Sequence, residues 1–111
     1  MRLRFNNDSG NKYVNRKVRT DGTQIISTPE DGFVLTRVNT TNDAANYAVG
    51  SLFLTNYTLS EPKIYQFNLA SSSQGDWGNG TFNDTTAISQ LNFYSTGGTL
   101  QGGTIRIYGV N

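Results

Sequence analysis

The residues with the clearest capacity for chemistry are two aspartates, Asp76 and Asp84, which flank Trp77 and Phe82 in one polar segment. A glycosidase needs only two carboxylates at a suitable separation. Both aspartates, however, stand beside Gly and Asn in turn-like sequence, where Asp is favoured by hydrogen bonds to nearby backbone. The chain has no His and no Cys, which removes the usual general base, thiol catalysis and zinc–cysteine sites. We therefore predict no enzyme activity, no catalytic residues, no cofactor and no metal site.

Aromatic side chains are the second group of candidates, and they point to binding. Trp77, Phe82 and Tyr57 offer flat apolar rings that stack on sugars, with Asn and Asp of the loops as hydrogen-bonding partners. The competing interpretation is that the lone Trp closes one end of a small core, because aromatic residues dominate burial in small domains. The sequence favours the core interpretation for Trp77, and glycan stacking is the alternative.

Positive charge is concentrated near the start of the chain, although the net charge is only +1. Such basic residues fit a nucleic-acid patch, a sheet edge protected against aggregation, or a surface that docks on a partner. Because the net charge is low, partner docking and edge protection are better explanations of these residues than nucleic-acid binding. No apolar stretch approaches the roughly 20 residues of a membrane span. We predict neither a nucleic-acid nor a membrane partner. The predicted docking residues are Arg2, Arg4, Arg16 and Lys17.

The elements that would position these side chains are all strands. Residues 104–110 show the pattern well, since Ile105 and Ile107 alternate with Arg106 and Tyr108, as in a strand with one buried face. Residues 24–27 are left open as a short edge strand, and 70–84 form the longest polar segment. The spacing predicts one domain, 1–111, built as an antiparallel sandwich or barrel of six or seven strands. The predicted strands are 2–6, 13–18, 33–39, 51–57, 63–69, 88–94 and 104–110.

The same alternation predicts the hydrophobic core. The inward-facing apolar residues of two packed sheets would meet between them. They are Leu3, Phe5, Leu35, Leu52, Leu54, Tyr65, Phe67, Leu91, Phe93, Ile105 and Ile107.

Two stretches resemble segments of one protein family. LRFNNDSGNKY, residues 3–13, is similar to an L-R-F-N-[NG]-D-[ST]-G-x-N-Y segment, and GTIRIYGV, residues 103–110, to a closing G-[ST]-x-[IVF]-x-[LI]-Y-G-[IV] signature. Both belong to small β-sandwich virion domains of tailed bacteriophages. The likeness extends to the Asn56-Tyr57 pair, Lys63, Trp77 and residues 86–89, whereas residues 14–50 match only in strand rhythm.

The resemblance implies an all-β, antiparallel β-sandwich of jelly-roll-like form and a non-catalytic role on the virion surface. Family domains carry further strands before the segment corresponding to Leu3. Three explanations are compatible with this difference: the chain is a shortened member of the family, a neighbouring subunit supplies the missing strand, or the sequence is incomplete. Strand donation would satisfy an open sheet edge, which favours a homo-oligomer, a trimer by analogy.

The resulting expectation is a capsid decoration or cement protein. It would be made in the host cytoplasm, bind the major capsid protein or other virion proteins, and stabilise the outer shell by mass action on the assembled form. The alternative expectation is a receptor-binding or carbohydrate-binding module of a tail fibre or head fibre, with a host-surface glycan as its partner.

Overall fold

The computed structural model describes residues 1–35, 48–71, 74–97, 100 and 102–109. Within those residues the chain forms eight strands and no helix, so none of the described residues belongs to a helix able to cross a membrane. The strands are β1 (Arg2–Phe5), β2 (Tyr13–Arg19), β3 (Gln24–Ile26), β4 (Phe33–Val34), β5 (Ala48–Leu54), β6 (Lys63–Ser71), β7 (Gly75–Phe82) and β8 (Leu91–Tyr94).

The strands form two antiparallel sheets. The smaller has the order β4-β1-β8 and the larger the order β3-β2-β7-β6-β5. The prediction of an all-β antiparallel sandwich is confirmed, with eight strands rather than six or seven. The short strand expected at 24–27 is present as β3, whereas residues 36–39 of the expected strand 33–39 lie outside the described residues.

Aromatic side chains between the sheets show how the two layers are superposed. The Tyr13 ring of β2 lies 4.7 Å from the Phe33 ring of β4, measured between centroids. The Phe5 ring of β1 lies 5.4 Å from Phe82 of β7 and 6.4 Å from Tyr65 of β6. The Phe33 ring also lies 3.6 Å from the Tyr65 ring of β6, so β4 and β1 both pack over the central part of the large sheet. β8 is the edge strand of the small sheet on the side away from β4. The chain that leads into β8 is bonded to the chain that follows β5, because the backbone nitrogen of Ile88 donates to the carbonyl of Tyr57 at 2.7 Å.

The core largely matches the predicted set. Leu3, Phe5, Leu35, Tyr65 and Phe67 are buried. Four more predicted residues are only partly buried at the margin of the core: Leu52, Leu54, Leu91 and Phe93. Five residues that the prediction had left out are also buried: Tyr13, Phe33, Leu69 and Phe82, which lie on strands, and Ile88, which lies between β7 and β8.

The predicted closing strand is not a strand. Residues 104–109 belong to neither sheet, and residue 110 lies outside the described part. Ile105 and Ile107, predicted to be core residues, are 57% and 73% exposed, so that prediction is wrong. The physical reason is that alternation identifies a segment able to form a strand but supplies no neighbour with which to form hydrogen bonds.

A strand was also missed. β7 lies at the centre of the large sheet, between β2 and β6, although its sequence falls in the segment identified as polar. Its backbone makes seven residue pairs with β2, from Tyr13↔Phe82 to Arg19↔Asp76. Pairing on both sides holds this Gly- and Asn-containing strand extended despite its weak intrinsic preference for that state.

Two of the stretches that carry the family resemblance meet in space. Asn6, in the turn after β1, has a positive φ of 52°, which Asn tolerates better than most residues. Its amide nitrogen donates to the carbonyl of Ala87 at 2.8 Å, and its amide oxygen accepts from the backbone nitrogen of Ser89 at 2.8 Å. This turn therefore fixes the chain that leads into β8.

Candidate binding surface

The side of the large sheet that faces away from the core carries two rows of side chains across all five strands. In strand order β3-β2-β7-β6-β5, the first row is Ile26, Arg16, Asn79, Gln66 and Phe53. The second row is Gln24, Val18, Trp77, Asn68 and Ser51. We call these ten residues the outer face. All but Val18 are exposed, and strands about 4.8 Å apart make each row about 19 Å long.

Strand periodicity produces this surface. On β6, Lys63, Tyr65, Phe67 and Leu69 are buried, so the residues between them point outward. On β7, Asp76, Gly80 and Phe82 are buried, which leaves Trp77 and Asn79 outside. At the centre of the sheet, the outward side chains are therefore the indole of Trp77 and the amide groups around it.

Trp77 stands between two shallow depressions of the outer face. The depression on the β2 and β3 side measures about 340 Å³ and is lined by Arg16 and Ile26 among others. The depression on the β6 and β5 side measures about 420 Å³, and its lining includes Phe53, Gln66 and Asn68. Trp77 and Asn79 line both. Trp77 is 45% exposed, so it does not close the core, contrary to the interpretation that the sequence favoured.

The chemistry of the outer face is that of a neutral hydrogen-bonding surface with apolar plates. Each amide side chain offers two N–H donors and a carbonyl acceptor. The ten residues contain no carboxylate, and Arg16 supplies the one positive charge. Arg16 forms no ion pair with another described residue, so its guanidinium is available to a ligand.

The other two predicted stacking residues do not join Trp77. Phe82 is 1% exposed and packs in the core, stacked on Tyr13 at 4.7 Å between ring centroids. Its ring is not accessible to a ligand, so the prediction that Phe82 stacks on a glycan is wrong. Tyr57 is 47% exposed, but it lies in the turn after β5, which ends at Leu54, and it lines neither depression.

Arg2 and Arg4, two of the predicted docking residues, share one carboxylate. Arg2 Nη1 lies 2.8 Å from Asp31 Oδ1, and Arg4 Nη2 lies 2.5 Å from Asp31 Oδ2. The Arg4 guanidinium also stacks over the Tyr94 ring at 4.6 Å from its centroid. These partners place both arginines on the outside of the small sheet, on the opposite side of the sandwich from Arg16.

Lys17, the remaining predicted docking residue, is not on the surface. It is 5% exposed, and its ammonium lies 3.3 Å from the carboxylate of Asp76, which is fully buried. The prediction failed because Lys17 has the same parity along β2 as Tyr13 and Asn15, which face inward. Arg19 Nε lies 3.8 Å from the same carboxylate, and Gln74 Nε2 donates to it at 2.7 Å. The four predicted docking residues therefore do not form one patch.

Of the two aspartates considered for glycoside cleavage, Asp76 lies near the start of β7 and Asp84 lies two residues beyond its end. Six strand positions separate Asp76 from Phe82, about 20 Å, which keeps the two carboxylates beyond the roughly 10 Å limit for a catalytic pair. Asp84 instead pairs with Lys12 at 2.6 Å, and Lys12 also contacts Asp8 at 2.7 Å. Hydrogen bonds from Lys12 and from the backbone of Thr86 lower the pKa of Asp84 to about 2.

Of the ten residues of the outer face, the sequence identified only Arg16 and Trp77 as candidate site residues. The eight that it missed include four that border Trp77 or extend its surface: Phe53, Gln66, Asn68 and Asn79. The signal for three of these four was present, because Phe53 alternates with Leu52 and Leu54, and Gln66 and Asn68 alternate with predicted core residues of β6. Asn79 was hidden because β7 was not recognised as a strand.

Comparison of the chain with models of protein families, with curated proteins and with solved structures finds no match.

Proposed function

We propose that the chain is a non-catalytic virion-surface domain that binds carbohydrate through the outer face. The observation that carries this proposal is the position of Trp77, exposed at the centre of a sheet between two depressions lined by amide side chains. The virion part of the proposal rests on the sequence resemblance alone.

A sugar presents hydroxyl groups around its rim and C–H groups on its faces. The indole of Trp77 offers an apolar plate with a polar N–H at its edge. Asn68 and Asn79 are the cross-strand neighbours of Trp77 and Gln66, respectively, so amides border the plate on the same side of the sheet. Amide groups can donate to and accept from hydroxyls at once. The surface therefore matches both kinds of group that a sugar offers.

Phe53 and Arg16 extend this surface in opposite directions along one row. Phe53, 55% exposed, provides a second apolar plate beyond Gln66. Arg16 lies beyond Asn79 and suits a carboxylate or another acidic substituent. An extended oligosaccharide lying across the strands would contact Arg16, Trp77 and Phe53 in turn.

The decisive experiment is a glycan array, followed by calorimetric titration of the best binder. We expect Trp77→Ala to weaken binding at least about tenfold, equivalent to about 1.4 kcal/mol. Tyr57→Ala is the matched control, because Tyr57 is an aromatic residue with nearly the same exposure, 47% against 45%, outside the outer face. An array without binders, or equal losses for the two variants, would reject carbohydrate binding.

A capsid decoration or cement protein, the first expectation from the sequence, is the second candidate. Exposed apolar side chains favour it, because Ile26, Ile64 and Val49, 73%, 52% and 64% exposed, lie on the same side of the large sheet. Exposed apolar side chains on one face are a common feature of protein-docking sites. Arg16 is the one docking residue of the original four that this surface retains.

Immunogold electron microscopy of intact virions distinguishes the two roles. Label spread over the head would support decoration, and label confined to the tail or its fibres would support receptor recognition. Unlabelled particles would contradict both virion roles while leaving the glycan titration to judge the outer face independently.

A further inference from the structure

The segment of residues 102–109, here called the arm, has the sequence of a strand but no place in either sheet. Every one of its residues is exposed, including Ile105, Ile107 and Tyr108 at 57%, 73% and 77%. The arm makes no hydrogen bond or ion pair with the other described residues. An exposed, alternating strand sequence of this kind is prone to pair with any open sheet edge.

The sandwich has a matching open side. The small sheet has three strands facing five, and β8 is its edge strand on the side away from β4. The chain leading into β8 bonds to the chain after β5, where the backbone nitrogen of Ile88 donates to the carbonyl of Tyr57 at 2.7 Å, so β8 is on the β5 side of the sandwich. Beyond β8 no described strand covers the inner side of β5. The apolar side chains on this open side remain only partly buried: Leu52, Leu54, Leu91 and Phe93.

A fourth strand beside β8 would complete this side. β8 pairs with β1 along one edge, from Arg2↔Tyr94 to Phe5↔Leu91, and has no strand partner among the described residues on its other edge. A strand added there would lie over β5. Its inward side chains would contact Leu91 and Phe93 laterally and Leu52 and Leu54 across the sheets, and alternation gives the arm two such side chains, Ile105 and Ile107.

We propose that the arm of one copy of this chain adds as a strand to the β8 edge of a second copy. The partner is a second copy because each copy has both parts of the contact, an unpaired segment (the arm) and an unpaired strand edge (that of β8). Two copies can therefore exchange their arms reciprocally and form a closed assembly. Main-chain hydrogen bonds supply affinity in such strand addition, and the alternate side chains supply register.

The connection to the arm permits this exchange. Ten positions separate Tyr94 from Thr104, a reach of at most about 35 Å, and the molecule is 29 × 28 Å across its shorter axes. Gly102 and Gly103 have φ values of 157° and 129°, a backbone region open essentially to glycine. Glycine therefore permits a change of chain direction where the arm begins.

Sedimentation velocity on the full chain tests the proposal. We expect an oligomer at tens of micromolar, and the double variant Ile105→Asn/Ile107→Asn should weaken association at least about 100-fold, because two buried isoleucines are lost. Arg106→Asn, on the opposite side of the same strand, is the matched control and should remain an oligomer. A monomeric wild type, or an oligomer unaffected by the double variant, would overturn the proposal.

Cross-linking distinguishes exchange from an arm that folds back on its own chain. The protein has no cysteine, so Arg106→Cys and Asn92→Cys can be placed on separate chains, mixed and treated with a short bis-maleimide. Asn92 pairs with Arg4 on the outward side of β8. We expect a covalent dimer that depends on both cysteines. Cross-linking found only when one chain carries both substitutions would overturn the proposal.

Discussion

Gly80 shows how a single residue fixes the contact between two strands of the large sheet. The Tyr65 side chain crosses the backbone of β7 at this point, and its hydroxyl donates to Asn15 Oδ1. A Cβ at position 80 would overlap that hydroxyl. We expect Gly80→Ala to lower the free energy of unfolding by about 3 kcal/mol, because the buried Tyr65 has no room to move.

Urea denaturation measures this effect, and Gly109→Ala is the control. A Cβ at Gly109 meets open space, so that variant should differ from wild type by less than about 0.5 kcal/mol. Similar stability for Gly80→Ala and wild type would show that the Tyr65 hydroxyl is free to leave its partner.

Asp76 is the residue on which the buried charge depends. It is fully buried and lies between the ammonium of Lys17, at 3.3 Å, and Arg19 Nε, at 3.8 Å. Removing one member of a buried ion pair costs about 3–5 kcal/mol, because the other charge stays buried without compensation. We expect Asp76→Asn to destabilise the fold by about that amount in thermal or urea unfolding.

The double variant Lys17→Met/Asp76→Leu separates the charge effect from a packing effect. Replacing both partners by apolar residues removes the uncompensated charge, so this variant should be more stable than Asp76→Asn. If the double variant were the less stable of the two, packing around Asp76 and not its charge would account for the loss.

At the scale of the elements, the sequence predicted strands well where alternation and composition agree. β1, β6 and part of β5 carry apolar or aromatic residues at nearly every second position, and each was recognised, as was the more polar β2. β7 was not, because Gly78, Asn79 and Gly80 are typical of turns and its extended state depends on two neighbouring strands. The candidate site suffered from the same omission, since Trp77 and Asn79 both lie on β7.

The opposite error, the expected strand at 104–110, has a related cause. A strand sequence describes one side of an interaction, and the partner edge is not written in the same segment. For the same reason, charge in the early part of the chain did not reveal that Lys17 faces Asp76 and that Arg2 and Arg4 share Asp31. Pairings between residues distant in sequence decide these positions.

A pair of variants tests the difference between a strand in the sheet and the arm. Phe67 on β6 is 5% exposed, whereas Ile107 is 73% exposed. Phe67→Ala should cost about 3–5 kcal/mol through lost burial and the cavity left behind. Ile107→Ala should change the stability of the isolated chain by less than about 0.5 kcal/mol. The measurement requires a dilute solution in which the chains do not associate. A large loss of stability for Ile107→Ala under that condition would show that the arm pairs with a sheet of its own chain.

At the scale of the whole molecule, two tyrosines link the stability of the sandwich to alkaline pH. Burial is the main cause that raises the pKa of Tyr13 to about 12, from an ordinary value of 10.0. Burial, followed by the nearby charge of Glu30, raises the pKa of Tyr65 as well. The hydroxyl of Tyr13 accepts from the backbone nitrogen of Phe5 at 3.1 Å and donates to the carbonyl of Asp8 at 2.9 Å, so its proton is part of the core.

The sign of the pH dependence follows from which state keeps the proton. Below pH 10 both states hold it, and stability does not depend on these groups. Between pH 10 and about 12 the unfolded chain loses the Tyr13 proton while the folded chain keeps it, so stability falls by up to about 1.4 kcal/mol per pH unit for each such tyrosine.

Urea midpoints should therefore decrease steadily above pH 10. Tyr13→Phe should reduce the slope without abolishing it, because Tyr65 still contributes. A midpoint constant from pH 9 to pH 12 would contradict the burial of both hydroxyls.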